Sequence, residues 1–479
     1  MKHEYLKCPN LLTITTLILI SSIYISCKKL VEIEPPPTNL AQQTVYSSNP
    51  TAIAVITGTY SQMIQSGSGF CSGSNSITAI TGLSGDEFVN YAQDDPLLSQ
   101  AYTNSLQSAN VPFWAELYKY IYIVNAAIEG LTSSNGVTKD VKQQLIGEAK
   151  FLRAFYYFHL VNLFGDVPLL TSTDYQTNSS AARTPTTKVW NQIISDLQEA
   201  ENLLSSDFLD GTVTASTNER TRPTKWAAKT LLARVYLYLD NWSAADSLAT
   251  EVINNQTFKL AEDLNSVFLK NSEEAIWQLQ PVSPQFNTFD GFYFLLWLGV
   301  PPPAYGISPF AISKNLISEF EADDLRLTNW VRFLNDNGQV YYYPYKYKVA
   351  TGATVTEYLM VLRYAELFLI RAEARIHTGN KVGAIQDINR IRNRAGLPPT
   401  TANTESAILL AIEHERQLEL FTEWGHRWFD LKRTKRIDAI MGKVALDKGR
   451  SWNPQWTLYP IPQSEINQNH NLLPQNPGY

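Results

Sequence analysis

Apolar side chains recur at intervals of three and four residues through much of this chain, which is the period of an amphipathic helix. The clearest helix carries five of them on one face: Trp114, Leu117, Ile121, Val124 and Ile128. Gly165 and Pro168 end another such run by their backbone preferences. The pattern predicts long helices over Thr51–Ile64, Phe113–Leu131, Val141–Phe164 and Pro185–Leu204.

Two helical pairs later in the chain repeat one another. The first pair spans Thr224–Asp240 and Ser243–Asn254, and the second spans Leu359–Thr378 and Lys381–Arg394. In each pair one alanine of the first helix stands twelve residues before one of the second: Ala233 before Ala245, and Ala372 before Ala384. Small residues there let paired helices approach closely, as in tetratricopeptide repeats. The four earlier helices can form two more units of the same kind.

Residues 255–358 differ from the helical pairs, because Pro, Gly and aromatic residues dominate them. Ala275–Gln280 is predicted to be a short strand, and Gln339–Tyr347 a strand or extended edge. Residues 67–85, rich in Ser and Gly, are predicted to be a loop. The predicted fold is therefore mainly α. It is a tetratricopeptide-like helical-repeat scaffold with a large irregular insertion containing short strands, and binding function is expected on such scaffold-held loops.

The stretch Glu415–Lys435 combines apolar residues at helical spacing with a dense set of charges. Arginine stacks on tryptophan and carboxylates satisfy guanidinium groups, so this composition predicts a buried structural joint. The alternative is a catalytic or metal cluster of Glu423, His426 and Asp430, whose spacings of three and four share a helix face. Gly425 interrupts that face, and the structural interpretation is preferred.

Composition narrows the class of function. The net charge of −6 and the pI near 5.7 disfavour a nucleic-acid partner, which needs a clustered basic surface. The sequence contains no nucleophile elbow, zinc-binding helix motif or phosphate loop, and its six histidines are scattered. Neither catalysis nor a cofactor is therefore predicted. The 25 Tyr, 20 Phe and 11 Trp fit a carbohydrate binder and an aromatic-rich core equally well.

The N-terminus has the layout of an export signal. A basic start precedes the apolar run Leu11–Ile25, which is too short for a convincing membrane-spanning helix. Cys27 follows a serine, as in a bacterial lipobox, so we expect residues 1–26 to be removed and Cys27 to carry acyl chains. Residues 27–42 include three consecutive prolines and are expected to form an extended tether. Cys71 then remains without a disulfide partner.

Four stretches together resemble the SusD/RagB family of nutrient-binding outer-membrane lipoproteins. They are Asp86-Glu87, Glu148–Leu170, Glu415–Lys435 and the C-terminal tail Pro460–Tyr479. Trp424, between Glu423 and Gly425, departs from the commoner Glu-Gly-His-Arg core. The resemblance implies one SusD-like domain over residues 43–479 that binds an oligosaccharide without catalysis. It also implies a lipid-anchored, outward-facing place on the outer membrane, where the protein caps a SusC-like TonB-dependent transporter.

The candidate ligand-binding residues are aromatic side chains in irregular sequence, supplemented by two hydrogen-bonding groups. A sugar can stack its C–H face on an exposed ring, whereas the same ring can instead fill the join between insertion and scaffold. The candidates are Asp86, Asn90, Tyr91, Phe292, Tyr293, Trp297, Tyr305, Trp330 and Tyr343.

Trp297 is the leading candidate because the apolar run that contains it ends in Pro301–Pro303, and a rigid turn can present a nearby ring at little entropic cost. We expect Tyr293 and Tyr305 to share its surface. Asp324 and Arg326 are expected to form an internal ion pair. Two other functions stay open: a binder of peptides or other non-sugar nutrients, as on the RagB side of the family, and a repeat scaffold for envelope protein assembly. An exposed aromatic arc favours sugar, an amide-lined or basic cavity favours peptide, and a bare repeat groove favours the scaffold.

Overall fold

Residues 44–479 are the part of the chain that the computed structural model describes. The predictions for the signal peptide, Cys27 and the proline tether concern residues outside that range. Cys71 is buried as a free thiol. None of the helices within residues 44–479 has both the length and the apolar character that a membrane crossing requires.

Helices make up about half of the described chain. The long predicted helices are found within two residues of their expected ends, except for Leu359–Thr378. The helices are α1 Asn49–Ile64, α2 Ile77–Ser84, α3 Pro96–Tyr102, α4 Trp114–Ser133, α5 Lys139–Phe164, α6 Tyr175–Asn178, α7 Thr186–Leu203, α8 Lys225–Tyr238, α9 Trp242–Ile253, α10 Phe289–Phe294, α11 Lys314–Ser318, α12 Leu325–Trp330, α13 Tyr364–His377, α14 Lys381–Arg394, α15 Glu405–Leu420, α16 His426–Arg433, α17 Ile437–Asp447 and α18 Gln463–Gln468.

The long helices stack in a row that follows the chain. Each of α1, α4, α5, α7, α8, α9, α13, α14 and α15 packs against the next in that order. Such a row buries a continuous core between neighbours, as helical repeats do. The mainly α, repeat-like fold predicted from the sequence is confirmed.

The two repeated pairs, α8–α9 and α13–α14, share their turn chemistry as well as their small residues. Asp240 and Gly379 both adopt left-handed backbone angles, with φ of 57° and 84°. The asparagine that follows each one caps the next helix, since its side chain accepts an N–H from Ala244 or Gly383. The four alanines are fully buried: Ala233, Ala245, Ala372 and Ala384. Their burial agrees with the close helix contacts that their spacing predicts.

The described chain contains six short strands, four of them in the insertion, and two of their three pairs join distant parts of the sequence. They are β1 Phe88–Asn90, β2 Ala275–Leu279, β3 Phe310–Ile312, β4 Val331–Asp336, β5 Gln339–Pro344 and β6 Leu359–Arg363. Among the described residues they form three antiparallel pairs, β1 with β3, β2 with β6, and β4 with β5. The predicted helix Leu359–Thr378 is wrong in its first five residues, which form β6. Both β6 and β2 are buried along their whole length, so their pairing overrides the helical continuation.

Residues 77–84 correct a second expectation, because they form helix α2 inside the predicted loop. All eight residues are buried, and Ser76 caps the helix by accepting the Ala79 N–H. Its small residues permit close packing: a Cβ added at Gly82 would lie 2.7 Å from the ring of Phe88. The loop prediction therefore holds for residues 67–76 and is wrong for residues 77–84.

Candidate functional site

The charged stretch Glu415–Lys435 folds as the end of α15, a tight turn and α16. The turn contains three residues with positive φ, Thr422, Trp424 and Gly425. The Trp424 indole N–H donates to the Met360 carbonyl at 2.7 Å, and its backbone N–H donates to Thr78 Oγ1 at 3.0 Å. The additional tryptophan of this motif is thus buried and hydrogen-bonded on both sides of the turn.

Buried ion pairs surround this turn and join it to the insertion. Arg363 donates to Glu419 Oε1 at 2.5 Å and to Glu423 Oε2 at 2.8 Å. Arg394 contacts Glu274 and Glu419 from α14. Although burial opposes ionisation of Glu419, the arginines around it hold its pKa well below the usual range. Arg326, as expected, pairs internally with Asp324 at 2.8 Å.

The residues of the alternative catalytic cluster point to different partners. Glu423 accepts from Arg363 and Lys346, whereas Asp430 accepts from Arg416 and Arg433. Burial lowers the pKa of His426 well below its usual value, and nearby Arg234 adds to this effect. No group of His, Cys, Asp and Glu within residues 44–479 is arranged to hold a metal ion. The stretch is therefore the structural joint that its composition predicts.

An open groove lies between β1, β3, the tip of the β4–β5 hairpin and α17. We call it the Tyr91 groove; its volume is about 750 Å³. This is within the range of small-ligand sites. It is lined by Asp86, Phe88, Val89, Tyr91, Tyr102, residues 311–315, residues 338–342, Val444, Asp447 and Lys448. Two of the predicted site residues, Asp86 and Tyr91, therefore meet there.

Tyr91 is held in the groove by the bend that follows β1. The Asn90 side chain makes that bend, since its Oδ1 accepts the Ala92 N–H at 3.0 Å and its Nδ2 donates to Ser99 Oγ at 3.1 Å. The ring of Tyr91 contacts that of Tyr341 edge-on, with centroids 5.5 Å apart. Partial burial raises the pKa of Tyr91, and Tyr341 adds to this shift. Asn90 thus positions Tyr91, and its own amide is engaged within the protein.

Four phenol groups line the groove: Tyr91, Tyr102, Tyr341 and Tyr342. Within residues 44–479, no hydrogen bond engages any of their hydroxyls. Each therefore offers a donor and an acceptor beside an aromatic ring. Sequence reasoning selected only Tyr343 from the run Tyr341–Tyr343, and Tyr343 does not line the groove. Strand alternation places Tyr341 and Tyr343 on one face but does not say which tyrosine reaches a neighbouring strand.

Asp86 lies in the floor of the groove and is committed to a salt bridge. It is buried, and Arg427 donates to its Oδ1 at 2.9 Å and to its Oδ2 at 2.7 Å. Lys448 closes the same floor by donating to the carbonyls of Leu83 and Gly85 at the end of α2. Burial lowers the pKa of Lys448 to about 7. The expectation that Asp86 offers a free hydrogen-bonding group is corrected, because both of its oxygens serve Arg427.

A second aromatic surface is formed by α10 and the segment that follows it, and we call it the Trp297 surface. Phe292 joins its members, with ring centroids 5.6 Å from Trp297 and 5.0 Å from Tyr293. Trp297 is 40% exposed and donates its indole N–H to the Phe292 carbonyl at 3.1 Å. Tyr305 is 85% exposed, and no ring contact within the described chain joins it to the others. The structure thus unites two of the three rings expected there.

Trp330 belongs to the core and not to a binding surface. Its ring is fully buried, and its indole N–H donates to the Leu264 carbonyl at 2.9 Å. Lys346 and Arg394 lie 4.9 and 5.7 Å from the ring centroid, beside the buried ion pairs. The expectation of an exposed stacking face at Trp330 is therefore wrong. Its indole stabilises the cations of the structural joint.

Comparison with known proteins agrees with the motifs and the fold. A family model described as the SusD family matches residues 318–479, and one described as "Starch-binding associating with outer membrane" matches residues 54–237. SusD-like protein P38 of Formosa agariphila is 26% identical over 525 residues, which cover 96% of this chain and 98% of that protein.

Two solved structures share the fold. Surface glycan-binding protein A from Bacteroides fluxus superposes with a TM-score of 0.71 at 24% identity, over 89% of this chain and 99% of that one. A laminarin-binding SusD-like protein superposes with a TM-score of 0.68 at 22% identity, over 90% of this chain and 99% of that one.

Proposed function

This chain belongs to the SusD/RagB family, and on that premise we propose that it captures an oligosaccharide at the outer membrane without breaking it down. The observation that carries the proposal is the Tyr91 groove, where partly exposed rings and unengaged phenol hydroxyls stand together. Sugars present C–H faces and hydroxyl groups side by side, so a ring beside a free donor and acceptor suits them. Relatives described as starch-, laminarin- and glycan-binding support the ligand class.

The surface of the Tyr91 groove presents few free charges to a ligand. Lys314 is exposed at its edge, Asp86 is paired with Arg427 in its floor, and the Lys448 ammonium donates there to backbone carbonyls. Asn315 shares the wall with Asp447 and donates to it at 3.3 Å. A neutral, hydroxyl-rich ligand meets this surface without leaving a buried charge unpaired. The structural role of the ion pairs in α15 and α16 also supports binding rather than catalysis.

The proposed cellular location and partner of this protein rest on its family and on its N-terminal sequence. One matching family model is described as associating with the outer membrane. We propose that acyl chains on Cys27 anchor the protein there, facing outward, and that residues 27–42 tether the domain that begins near residue 43. The partner is a SusC-like TonB-dependent transporter, on which this protein acts as a lid. Affinity purification of the anchored protein from its native envelope tests that partnership, and recovery without such a transporter argues against it.

Glycan binding is tested with the purified full-length protein in a sugar-free detergent. An array of glycans and peptides identifies the ligand class, and calorimetric titration of the best glycan compares wild type with Tyr91→Ala. Loss of the ring should weaken binding by about 1–3 kcal/mol, the usual scale of an aromatic stacking contact. Tyr122→Ala is the matched control, because Tyr122 is 54% exposed on α4 and lies outside the groove. Peptide capture without glycan capture would refute the proposal in favour of a RagB-type ligand.

A further inference from the structure

A separate cavity lies between the start of α4, the segment after α5, α6 and α18. We call it the Tyr175 cavity; its volume is about 420 Å³. It shares no lining residue with the Tyr91 groove. The Tyr91 groove does not account for it, and its walls come from parts of the chain more than 280 residues apart.

The side chains that line the Tyr175 cavity limit the class of ligand that it can bind. Three aromatic residues contribute, and Tyr175 is the outermost, with 80% of its surface exposed. Amide, hydroxyl and apolar groups make up the rest, and Glu465 carries the single carboxylate among its lining residues. No lysine, arginine or histidine lines it, so an anionic ligand would meet one carboxylate and no positive charge. A phosphate or a carboxylate is therefore disfavoured.

Two polar side chains of the cavity have no partner in the described part of the chain. Neither the Glu465 carboxylate nor the Gln468 amide makes a side-chain hydrogen bond or ion pair within residues 44–479. They lie one helical turn apart on α18, on the wall that also includes Asn469. Together they offer acceptors and a donor at one place, which is what vicinal hydroxyls require.

The opposite wall is held rigidly, so a ligand does not have to order it. Asp174 caps α6 by accepting the Gln176 N–H at 3.0 Å, and Asn178 donates to the Ser172 carbonyl at 2.8 Å. Asn469 ties the two walls together, since its amide donates to the Ala181 carbonyl at 2.8 Å. These bonds order the backbone that carries Tyr175, so a ligand has to order only the side-chain torsions of its exposed ring.

We propose that the Tyr175 cavity is a second carbohydrate site, which takes one or two neutral sugar rings apart from the Tyr91 groove. Tyr175 stacks on the C–H face of a sugar, while Glu465 and Gln468 bond its hydroxyls. The inference rests on the proposed carbohydrate-binding function and extends it. Two sites on one protein let a long chain be held at two points, so that the second contact forms at a high effective concentration.

Hydrogen–deuterium exchange of the full chain tests the site, because it reports each region separately. The probes are maltoheptaose and laminarihexaose, chosen from the starch and laminarin named for relatives. When a probe binds the wild type, we expect slower exchange over residues 172–181 and 463–472 of the cavity and over residues 86–91 of the groove. In Tyr175→Ala, half-maximal protection of the first two regions should need about ten times more probe, whereas protection of residues 86–91 stays unchanged.

The controls separate failure of this inference from failure of the proposed function. In Tyr122→Ala, the probe should protect all three regions from exchange as it does in the wild type. In Gln468→Ala, the probe should protect the cavity less and the groove equally well. Protection confined to residues 86–91, or full protection of the cavity in Tyr175→Ala, overturns the second site and leaves the proposed function standing. Absence of protection in every region with both probes overturns both proposals.

Discussion

Replacing Arg363 by methionine should destabilise the protein strongly, because this guanidinium joins three acidic side chains. It is 2% exposed and bonds Glu419, Glu423 and the Glu419 carbonyl, with Glu274 at 3.5 Å. Removing one partner of a buried pair typically costs about 3–5 kcal/mol, since the other charge stays buried. Glu419 keeps Arg394, and Glu423 keeps Lys346 at 2.5 Å. We therefore expect about 3 kcal/mol, the lower end of that range.

The pH dependence of the lost stability shows whether that loss is electrostatic in origin. Because the pKa of Glu419 is held low in the folded protein, its ionisation contributes stability above its unfolded pKa, about 4.3, and that contribution falls as pH falls below it. Without Arg363 the folded pKa of Glu419 rises, so the variant lacks part of this contribution at neutral pH. The difference from wild type should therefore be largest above pH of about 5 and should shrink below about 4.

Urea-induced unfolding at pH 7 and at about pH 3 measures both effects. The matched control is Arg390→Met, because Arg390 is exposed on α14, and its free energy of unfolding should stay within about 0.5 kcal/mol of wild type. Adding Glu419→Gln to Arg363→Met should recover part of the loss, since it removes one of the buried charges. A loss below 1 kcal/mol in the single variant, or a loss that does not change with pH, would refute the assignment of this cluster as an electrostatic joint.

Three further predictions test the repeats, the aromatic surface and the anchor. Ala372→Leu or Ala233→Leu should lower the thermal midpoint, since overpacking a fully buried helix contact costs about 1–3 kcal/mol, and an unchanged midpoint would contradict the repeat alignment. Trp297→Ala should barely change the thermal midpoint because its ring is 40% exposed, whereas Trp330→Ala should cost about 3–5 kcal/mol of stability because its ring is fully buried; the reverse pattern in thermal melts would exchange their roles. Cys27→Ser should leave a folded protein that no longer sediments with membranes, and equal retention of both forms would argue against the lipid anchor.

The positions of the candidate residues show why sequence reasoning about the site is only partly successful. Trp297 and Trp330 both stand in aromatic, irregular sequence, yet one is 40% exposed and the other is fully buried. The sequence predicts Asp86 as a free polar group, but its partner Arg427 is 341 residues away. The sequence does not single out Tyr341 and Tyr342, because three adjacent tyrosines carry no local sign of which ones face a groove. Exposure of a ring depends on distant segments, which periodicity does not report.

The long helices, the two repeated pairs and the structural character of the stretch Glu415–Lys435 can be predicted from the amino-acid pattern. Helical periodicity and the spacing of small residues are local properties, so they can be recognised without knowledge of the fold. The formation of β6 by residues 359–363, the formation of α2 by residues 77–84 and the exposure of individual aromatic rings could not be predicted in this way. These features depend on pairing and burial between segments far apart in the chain, and such contacts outweigh local preferences that differ by about 1 kcal/mol.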